Sequence, residues 1–311
     1  MTKFTAFFRL IRWPNLLFIG LTQSLFIYCV LGPILKSESF GRMPILEWKN
    51  SVLFILGTVL ITAGSYIIND YFDANRDLMN RPDAVIIGKT IHRHWAIACH
   101  STLSALGVLI GFYLDFTAST LLLGPINFGC TFLLFLYSVS LKKTPLAGNI
   151  LISLLTAWTI WSCTWCNTAT IIKSAQLVDT VRITRVTLMY GGFAFIISLI
   201  REAIKDLEDV DIDRKVNYRT MPIVWGINAS RIFVWVWMFV MVGLLGSVFI
   251  YLLVSQRWVS AAFCLICITL PFLKVIKDFI RAHSPEEYRR VRGQVKWVML
   301  AGILTMLLIH F

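Results

Sequence analysis

Oxygen-bearing side chains recur at a four-residue spacing directly after a long apolar run. The run covers residues 51–68, and Asn69, Asp73 and Asp77 follow it. Residues four apart in a helix lie on the same face, with a drift of only about 40° per step. Oxygen side chains gathered on one face are the ligands that a hard cation such as Mg2+ takes. We therefore predict a metal-binding stripe at the end of this helix.

A second group of carboxylates lies much later in the chain. Asp206, Asp209 and Asp213 are three and then four residues apart, a spacing that again keeps one helical face. Ionisable side chains gathered at a membrane boundary are a functional hypothesis by default, because they are energetically costly there. The two stripes together predict a site that holds metal ions and a diphosphate. Its catalytic carboxylates are Asp73, Asp77, Asp209 and Asp213.

Three further acidic residues lie beside the stripes without sharing their faces. They are Asp70, Glu208 and Asp211. We predict that their side chains support the site or are solvated.

The composition limits the chain to one class of protein. Of its 311 residues, 57% are hydrophobic and 15% are charged, and the mean hydropathy is +0.73. Soluble proteins are roughly half apolar and a quarter charged. We therefore expect an all-α integral membrane protein, because helices satisfy their own backbone hydrogen bonds in lipid. The net charge of +12 does not indicate nucleic-acid binding, since the basic residues are spread over several short loops.

Nine apolar runs each have close to the roughly 20 residues that a helix needs to cross a bilayer. We predict nine transmembrane helices in a pseudo-repeated bundle around a central cavity, all within a single domain over residues 1–311. The predicted catalytic loops, at about 77–94 and 205–230, follow the second and sixth helices. The predicted helices lie near 14–35, 51–73, 95–114, 117–137, 147–167, 186–204, 231–253, 258–276 and 294–310.

The distribution of basic residues predicts the orientation in the membrane. Most of the 29 Lys and Arg residues lie before the first predicted helix or in the loops after the even-numbered ones. Cytoplasmic loops carry the excess of Lys and Arg, so the N-terminus is predicted inside and the C-terminus outside. Both acidic stripes then lie on the cytoplasmic side. In a bacterial cell this membrane would be the inner one.

The paired motifs resemble those of the UbiA superfamily of intramembrane prenyltransferases. The similarity covers essentially the whole chain and includes segments beyond the aspartates. The sequence of residues 201–209 most resembles that of the branch that makes digeranylgeranylglyceryl phosphate. The further segments are Arg12–Asn15, Asn80–Pro82, Leu141–Thr144, Gly148–Asn149 and Arg219–Pro222.

The resemblance implies a role for each site residue. One Mg2+ is expected on Asn69, Asp73 and Asp77, and a second on Asp209 and Asp213, with Asp206 assisting. Such enzymes bind a polyprenyl diphosphate through these ions and keep its tail in an apolar, lipid-facing tunnel.

Substrate-binding candidates come from the basic segments. Arg81 and either Lys142 or Lys143 are candidates for contacts to the diphosphate oxygens, since Lys is a point-charge phosphate binder. For Lys142 and Lys143 the alternative is a loop anchor at the membrane surface. Asn15 is a candidate for the pocket lining, and Lys205 either binds substrate or extends to the membrane surface.

The sequence departs from the family pattern in two places. A basic residue, Pro and Ser-Gly are common after the first motif, where this chain has residues 83–90. A Gly is common in the loop after the second motif, where this chain has Val216, Asn217 and Tyr218. Neither change touches a predicted metal ligand.

The resemblance implies a Mg2+-dependent prenyltransferase. The leading acceptor is geranylgeranylglyceryl phosphate, and geranylgeranyl diphosphate is the expected donor. The alternative is an aromatic acceptor on a quinone pathway of the menaquinone type. A terpene cyclase would share the metal site without needing an acceptor. A secondary transporter is disfavoured, because transporters place such features near the bilayer midplane and both stripes lie at one boundary.

Overall fold

The computed structural model describes residues 3–35, 47–80, 85–168 and 177–308, and helices dominate these ranges. An isolated bridge between Ile87 and Ile91 is the only β-type pairing among the described residues. The predicted all-α class is therefore confirmed.

The first of two compact units comprises residues 1–141 and 159–187. Its helices include a π-helical turn, Phe26–Leu31, inside an otherwise continuous stretch. They are α1 Lys3–Leu10, α2 Trp13–Leu25, α3 Gly32–Leu35, α4 Trp48–Asn80, α5 Arg93–Ala118 and α6 Leu123–Val139.

The second unit comprises residues 142–158 and 188–311. Two long helices contribute residues to both units, namely α7 Ala147–Trp165 and α8 Leu177–Glu208. The remaining helices are α9 Val210–Lys215, α10 Met221–Val224, α11 Ile227–Val254, α12 Trp258–Phe263, α13 Leu270–Arg281 and α14 Pro285–Leu304. A π-helical turn, Cys264–Thr269, joins α12 to α13.

The protein is an integral membrane protein by the length and apolarity of its helices. Seven helical stretches of the described chain are long and apolar enough to cross a membrane. Helices also lie at the two remaining predicted segments, where α6 is apolar but shorter and α14 is more polar. The seven stretches are Trp13–Ile34, Trp48–Met79, Arg93–Ala118, Ala147–Trp165, Thr180–Glu208, Ile227–Val254 and Trp258–Arg281.

Small residues bring α4 and α5 into close contact. A Cβ added to Gly107 would lie 2.7 Å from the carbonyl oxygen of Gly57 and 2.6 Å from Ile61. A Cβ added to Gly64 would lie 2.7 Å from the Ser104 hydroxyl oxygen. Small residues permit this approach of two backbones, which is a main source of helix association in lipid.

The second unit has an apolar core to which α8, α11, α13 and α14 contribute. Phe272 and Phe279 of α13 and Val295 of α14 have no exposed surface. A capping box begins α14: Ser284 Oγ accepts from the Glu287 backbone N–H, and the Glu287 carboxylate accepts from the N–H of Ser284. Backbone N–H groups of His283 and Ser284 lower the pKa of Glu287, because they stabilise its ionised form.

Apolar side chains of the loop after the first motif pack against neighbouring helices. Ile86 and Ile87 are buried and pack with Ala6 and Leu10 of α1 and with Ala96 of α5. This packing occupies the stretch in which the sequence departs from the family pattern.

A test of the close α4–α5 contact is the substitution Gly107→Ala. The added Cβ would overlap the Gly57 carbonyl, so the melting temperature in detergent should fall, corresponding to about 1–3 kcal/mol of overpacking. Gly129→Ala in α6 is the matched control, because a Cβ there would meet no described atom within 4 Å. Equal melting temperatures for both variants would contradict this packing.

Candidate functional site

The first stripe lies on an uninterrupted helix. Helix α4 extends through residue 80, so the backbone keeps Asn69, Asp73 and Asp77 at their helical spacing, as predicted. Asp73 is buried, with 7% of its surface exposed, whereas Asn69 and Asp77 are half-buried. This stretch of α4 therefore carries oxygen donors that are largely withdrawn from water.

An arginine from the N-terminal segment holds the acidic side chain beside this stripe. Arg12 Nη2 donates to Asp70 Oδ1 at 2.7 Å, and the guanidinium lies 4.9 Å from the centre of the Tyr66 ring. Arg12 has φ 52°, a left-handed conformation at the start of α2. Asp70 is thus ion-paired rather than only solvated, and its charge is balanced by a residue outside α4.

The second stripe lies across a local interruption of the helix. Asp206 is in α8, Asp209 lies between α8 and α9 with φ −94° and ψ 4°, and Asp213 is in α9. Helical backbone hydrogen bonds nevertheless continue, from the Asp209 N–H to Lys205 O and from the Asp213 N–H to Asp209 O, both at 2.9 Å. The predicted helical spacing is therefore preserved across the interruption.

Neutral donors orient two carboxylates of the second stripe. Asn149 Nδ2 donates to Asp206 Oδ2 at 2.7 Å. Thr220 Oγ1 donates to Asp213 Oδ2 at 3.2 Å, and Asp213 is 2% exposed. Both donors lie in segments that resemble the family, but their spacing in the sequence did not reveal a pairing with the aspartates.

Glu208 is buried and ion-paired, which the sequence did not distinguish from a solvated side chain. Arg292 Nε donates to Glu208 Oε2 at 2.7 Å, and Arg292 Nη2 donates to Oε1 at 3.3 Å. Arg289 Nε donates to Oε1 at 3.1 Å. Both arginines belong to α14, more than 80 positions along the chain.

Two of the basic substrate-binding candidates, Lys143 and Lys205, have different surroundings in the structure. Lys143 lies in a short 3-10 turn, where its ammonium is 5.4 Å from the Tyr218 ring centre and its carbonyl accepts from the Arg219 N–H. This contact brings Lys143 to the loop that follows the second stripe. Lys205 is 3.8 Å from Glu202, which also accepts from Arg201 at 2.8 Å.

Two of the remaining substrate-binding candidates, Lys142 and Asn15, are half-buried. Lys142 lies in the same 3-10 turn, and Asn15 lies near the start of α2. Arg81 lies outside the described residues.

The donor set fits a hard cation that binds together with a phosphate ligand. Among the described residues, no group of three or more His, Cys, Asp or Glu side chains converges into a complete metal site. Mg2+ commonly takes only one or two carboxylates and completes its shell with water and substrate phosphates. The oxygen-only stripes match that preference.

Comparison with known proteins identifies relatives over most of the chain. The UbiA prenyltransferase family matches residues 30–300. The digeranylgeranylglyceryl phosphate synthase of Thermococcus sibiricus is 29% identical over 225 residues, which are 72% of this chain and 70% of that protein. The synthase of the same name from Methanothermobacter thermautotrophicus is 33% identical over 181 residues, 57% of this chain and 58% of that protein.

Solved structures share the fold. A structure reported for digeranylgeranylglyceryl phosphate synthase in membranes has a TM-score of 0.61 at 21% identity, covering 99% of this chain and 100% of that chain. A UbiA homologue from Archaeoglobus fulgidus, bound to DMAPP and Mg2+, has a TM-score of 0.54 at 13% identity, with coverage of 96% and 98%.

A substitution of Asn149 tests whether its hydrogen bond tunes the second stripe. Asn149→Ala removes the donor to Asp206, and loss of such an outer contact typically weakens metal affinity by about 10-fold or more. We expect the Mg2+ concentration for half-maximal activity to rise accordingly. Ser153→Ala is the control, since the buried Ser153 hydroxyl donates to the backbone carbonyl of Asn149, one turn earlier in α7, and its loss leaves the Asn149 side chain in place. Equal Mg2+ dependence in both variants would refute the orienting role.

Proposed function

We propose that this chain, which belongs to the UbiA prenyltransferase family, attaches a geranylgeranyl group to geranylgeranylglyceryl phosphate. The donor is geranylgeranyl diphosphate, the reaction depends on Mg2+, and the product is an ether lipid. The main support is the pair of oxygen-rich stripes on a chain whose curated relatives are named digeranylgeranylglyceryl phosphate synthase. The A. fulgidus homologue bound to a prenyl diphosphate and Mg2+ supports the same donor chemistry.

The stripes would hold the metal ions. Asn69, Asp73 and Asp77 would ligate one Mg2+, and Asp209 and Asp213 a second, with Asp206 assisting. When bound, Mg2+ neutralises the charge that builds on the departing diphosphate.

Basic residues would contact the diphosphate oxygens. Lys143 is the better-supported lysine, because it lies against the loop after the second stripe. Lys142 and Arg81 complete the proposed set, Lys205 lies near Asp206 in α8, and Asn15 would line the pocket.

The covalent change is an O-alkylation. The hydroxyl oxygen of the acceptor bonds to the allylic C1 of the donor, and the C1–O bond to the diphosphate breaks with its electron pair leaving on the diphosphate. The hydroxyl proton is released to solvent or to a nearby base. The apolar helices keep water from C1, where it would otherwise divert the donor to a prenol.

We propose that all of residues 1–311 act as one catalytic domain with nine membrane helices, adding α6 and α14 to the seven long stretches. The excess of basic residues supports an N-terminus in the cytoplasm and a C-terminus outside. The loops near 77–94 and 205–230 would then be cytoplasmic, and in a bacterial cell the membrane would be the inner one.

Single substitutions test the metal-binding stripes. Asp73→Ala and Asp209→Ala should each abolish turnover, because each removes a ligand that the apolar surroundings cannot replace. Wild-type levels of protein in membranes, with a normal elution profile in detergent, would show that folding is retained. Near wild-type activity in either variant would disprove the assignment of that residue.

A transfer assay in isolated membranes tests the acceptor. Labelled geranylgeranyl diphosphate and Mg2+ would be supplied with geranylgeranylglyceryl phosphate or with dihydroxynaphthoate. We expect label in an ether phospholipid only with the first acceptor. Label in a naphthoquinone precursor would keep the prenyltransferase activity and overturn the proposed acceptor. Release of diphosphate with neither acceptor labelled would overturn the transfer to both and indicate a cyclase or another acceptor.

A further inference from the structure

Glu208 is the most completely enclosed charged group at the end of α8. Its side chain is 3% exposed, and both carboxylate oxygens accept hydrogen bonds from arginines of α14. Arg292 binds both oxygens, whereas the more exposed Arg289 binds one. Charge-assisted, two-pronged contacts of this kind fix orientation as well as charge.

The position of this ion pair relates it to the second stripe. Glu208 is the last residue of α8, and the adjacent Asp209 occupies the interruption before α9. At about 100° per residue, Glu208 points about 100° away from Asp209 and about 160° away from Asp206. A contact made by Glu208 therefore holds the helix end on a face that neither Asp206 nor Asp209 occupies.

Helix α14 is a firm support for this contact. Tyr288, Val291 and Val295 are almost completely buried in the core of the second unit. Arg231 of α11 also donates to the Ala282 carbonyl just before α14 and to the Tyr288 hydroxyl. Because this part of α14 is packed in the core, the backbone that carries Arg289 and Arg292 has little freedom to follow a rotation of α8.

We propose that Glu208, held by Arg292 and Arg289, is a positioning residue that sets the rotation of the α8 end and thereby aims Asp209 at its metal ion. The inference rests on the proposed metal role of Asp209. Asn149 and Thr220 orient individual carboxylates, whereas this ion pair fixes the backbone from which Asp209 projects.

The test uses purified full-length protein and a readout that requires no turnover. The stabilisation of the melting temperature is titrated with Mg2+ in the presence of inorganic pyrophosphate. In Glu208→Gln, the Mg2+ concentration for half-maximal stabilisation should rise about 10-fold, the usual size of an outer-contact effect on metal affinity. Asp209→Asn, which weakens the proposed ligand itself, should raise it at least as far.

A matched control separates positioning from general stability. Gln294 of α14 donates to Asp278 of α13 at 2.7 Å, a partly buried polar contact on the same helix that does not involve α8. Gln294→Leu should lower the melting temperature without changing the Mg2+ concentration for half-maximal stabilisation. If Glu208→Gln behaves like Gln294→Leu, the ion pair is only structural and the proposal fails.

Exchange of the charges provides a second test in case a single variant misfolds. Arg292→Glu places two carboxylates together and should impair Mg2+ binding severely. Combining it with Glu208→Arg restores opposite charges and should recover most of the Mg2+ affinity. A double variant no better than the worse single variant would overturn the proposal.

The outcome is separable from that of the proposed function. A wild-type protein that binds Mg2+ with pyrophosphate but transfers no prenyl group to geranylgeranylglyceryl phosphate would refute the acceptor alone. A Glu208→Gln variant that binds Mg2+ as the wild type does would refute the positioning role alone, whatever the acceptor.

Discussion

Carboxylates at the end of an apolar helix need cations or strong hydrogen-bond donors beside them, and this constraint applies at each of the two stripes. An unpaired buried charge is strongly destabilising, so acidic side chains near lipid are retained only with cations or strong donors beside them. The chain meets the requirement in the same way twice. Asp70, next to the first stripe, is paired with Arg12, and Glu208, next to the second, is paired with Arg292 and Arg289.

Two carboxylates of the second stripe also accept hydrogen bonds from neutral partners. The donors to Asp206 and Asp213 are an amide and a hydroxyl, which orient an oxygen without cancelling its charge. A carboxylate that keeps its charge still attracts a divalent cation, whereas one bound to arginine does not. Neutral donors at Asp206 and Asp213 are therefore compatible with reversible binding of a metal and a diphosphate.

The sequence predicted those parts of the site that depend on local periodicity. The helical spacing of Asn69, Asp73 and Asp77 follows from α4 alone. The ion pair of Glu208 could not be predicted, because a helical projection gives the direction of its side chain and does not reveal the arginines more than 80 residues away. A Gly is common in the family in the loop that contains Asn217, and the structure explains how this chain does without it. Asn217 has a φ of 55°, a left-handed conformation that Asn adopts more readily than most residues. The burial of Ile86 and Ile87 could not be predicted from local periodicity either, because it depends on packing against α1.

The packing of α4 also determines where its stripe can point. Gly57 and Gly64 face α5, and at about 100° per residue they lie within about 20° of each other. Asp73 is about 180° from Gly64 on the same projection, and Asn69 and Asp77 lie within about 40° of that opposite direction. Close backbone contact on one face thus forces the oxygen donors onto the face turned away from α5. The glycines that bring α4 and α5 into close contact are therefore part of the reason that the first stripe faces away from α5.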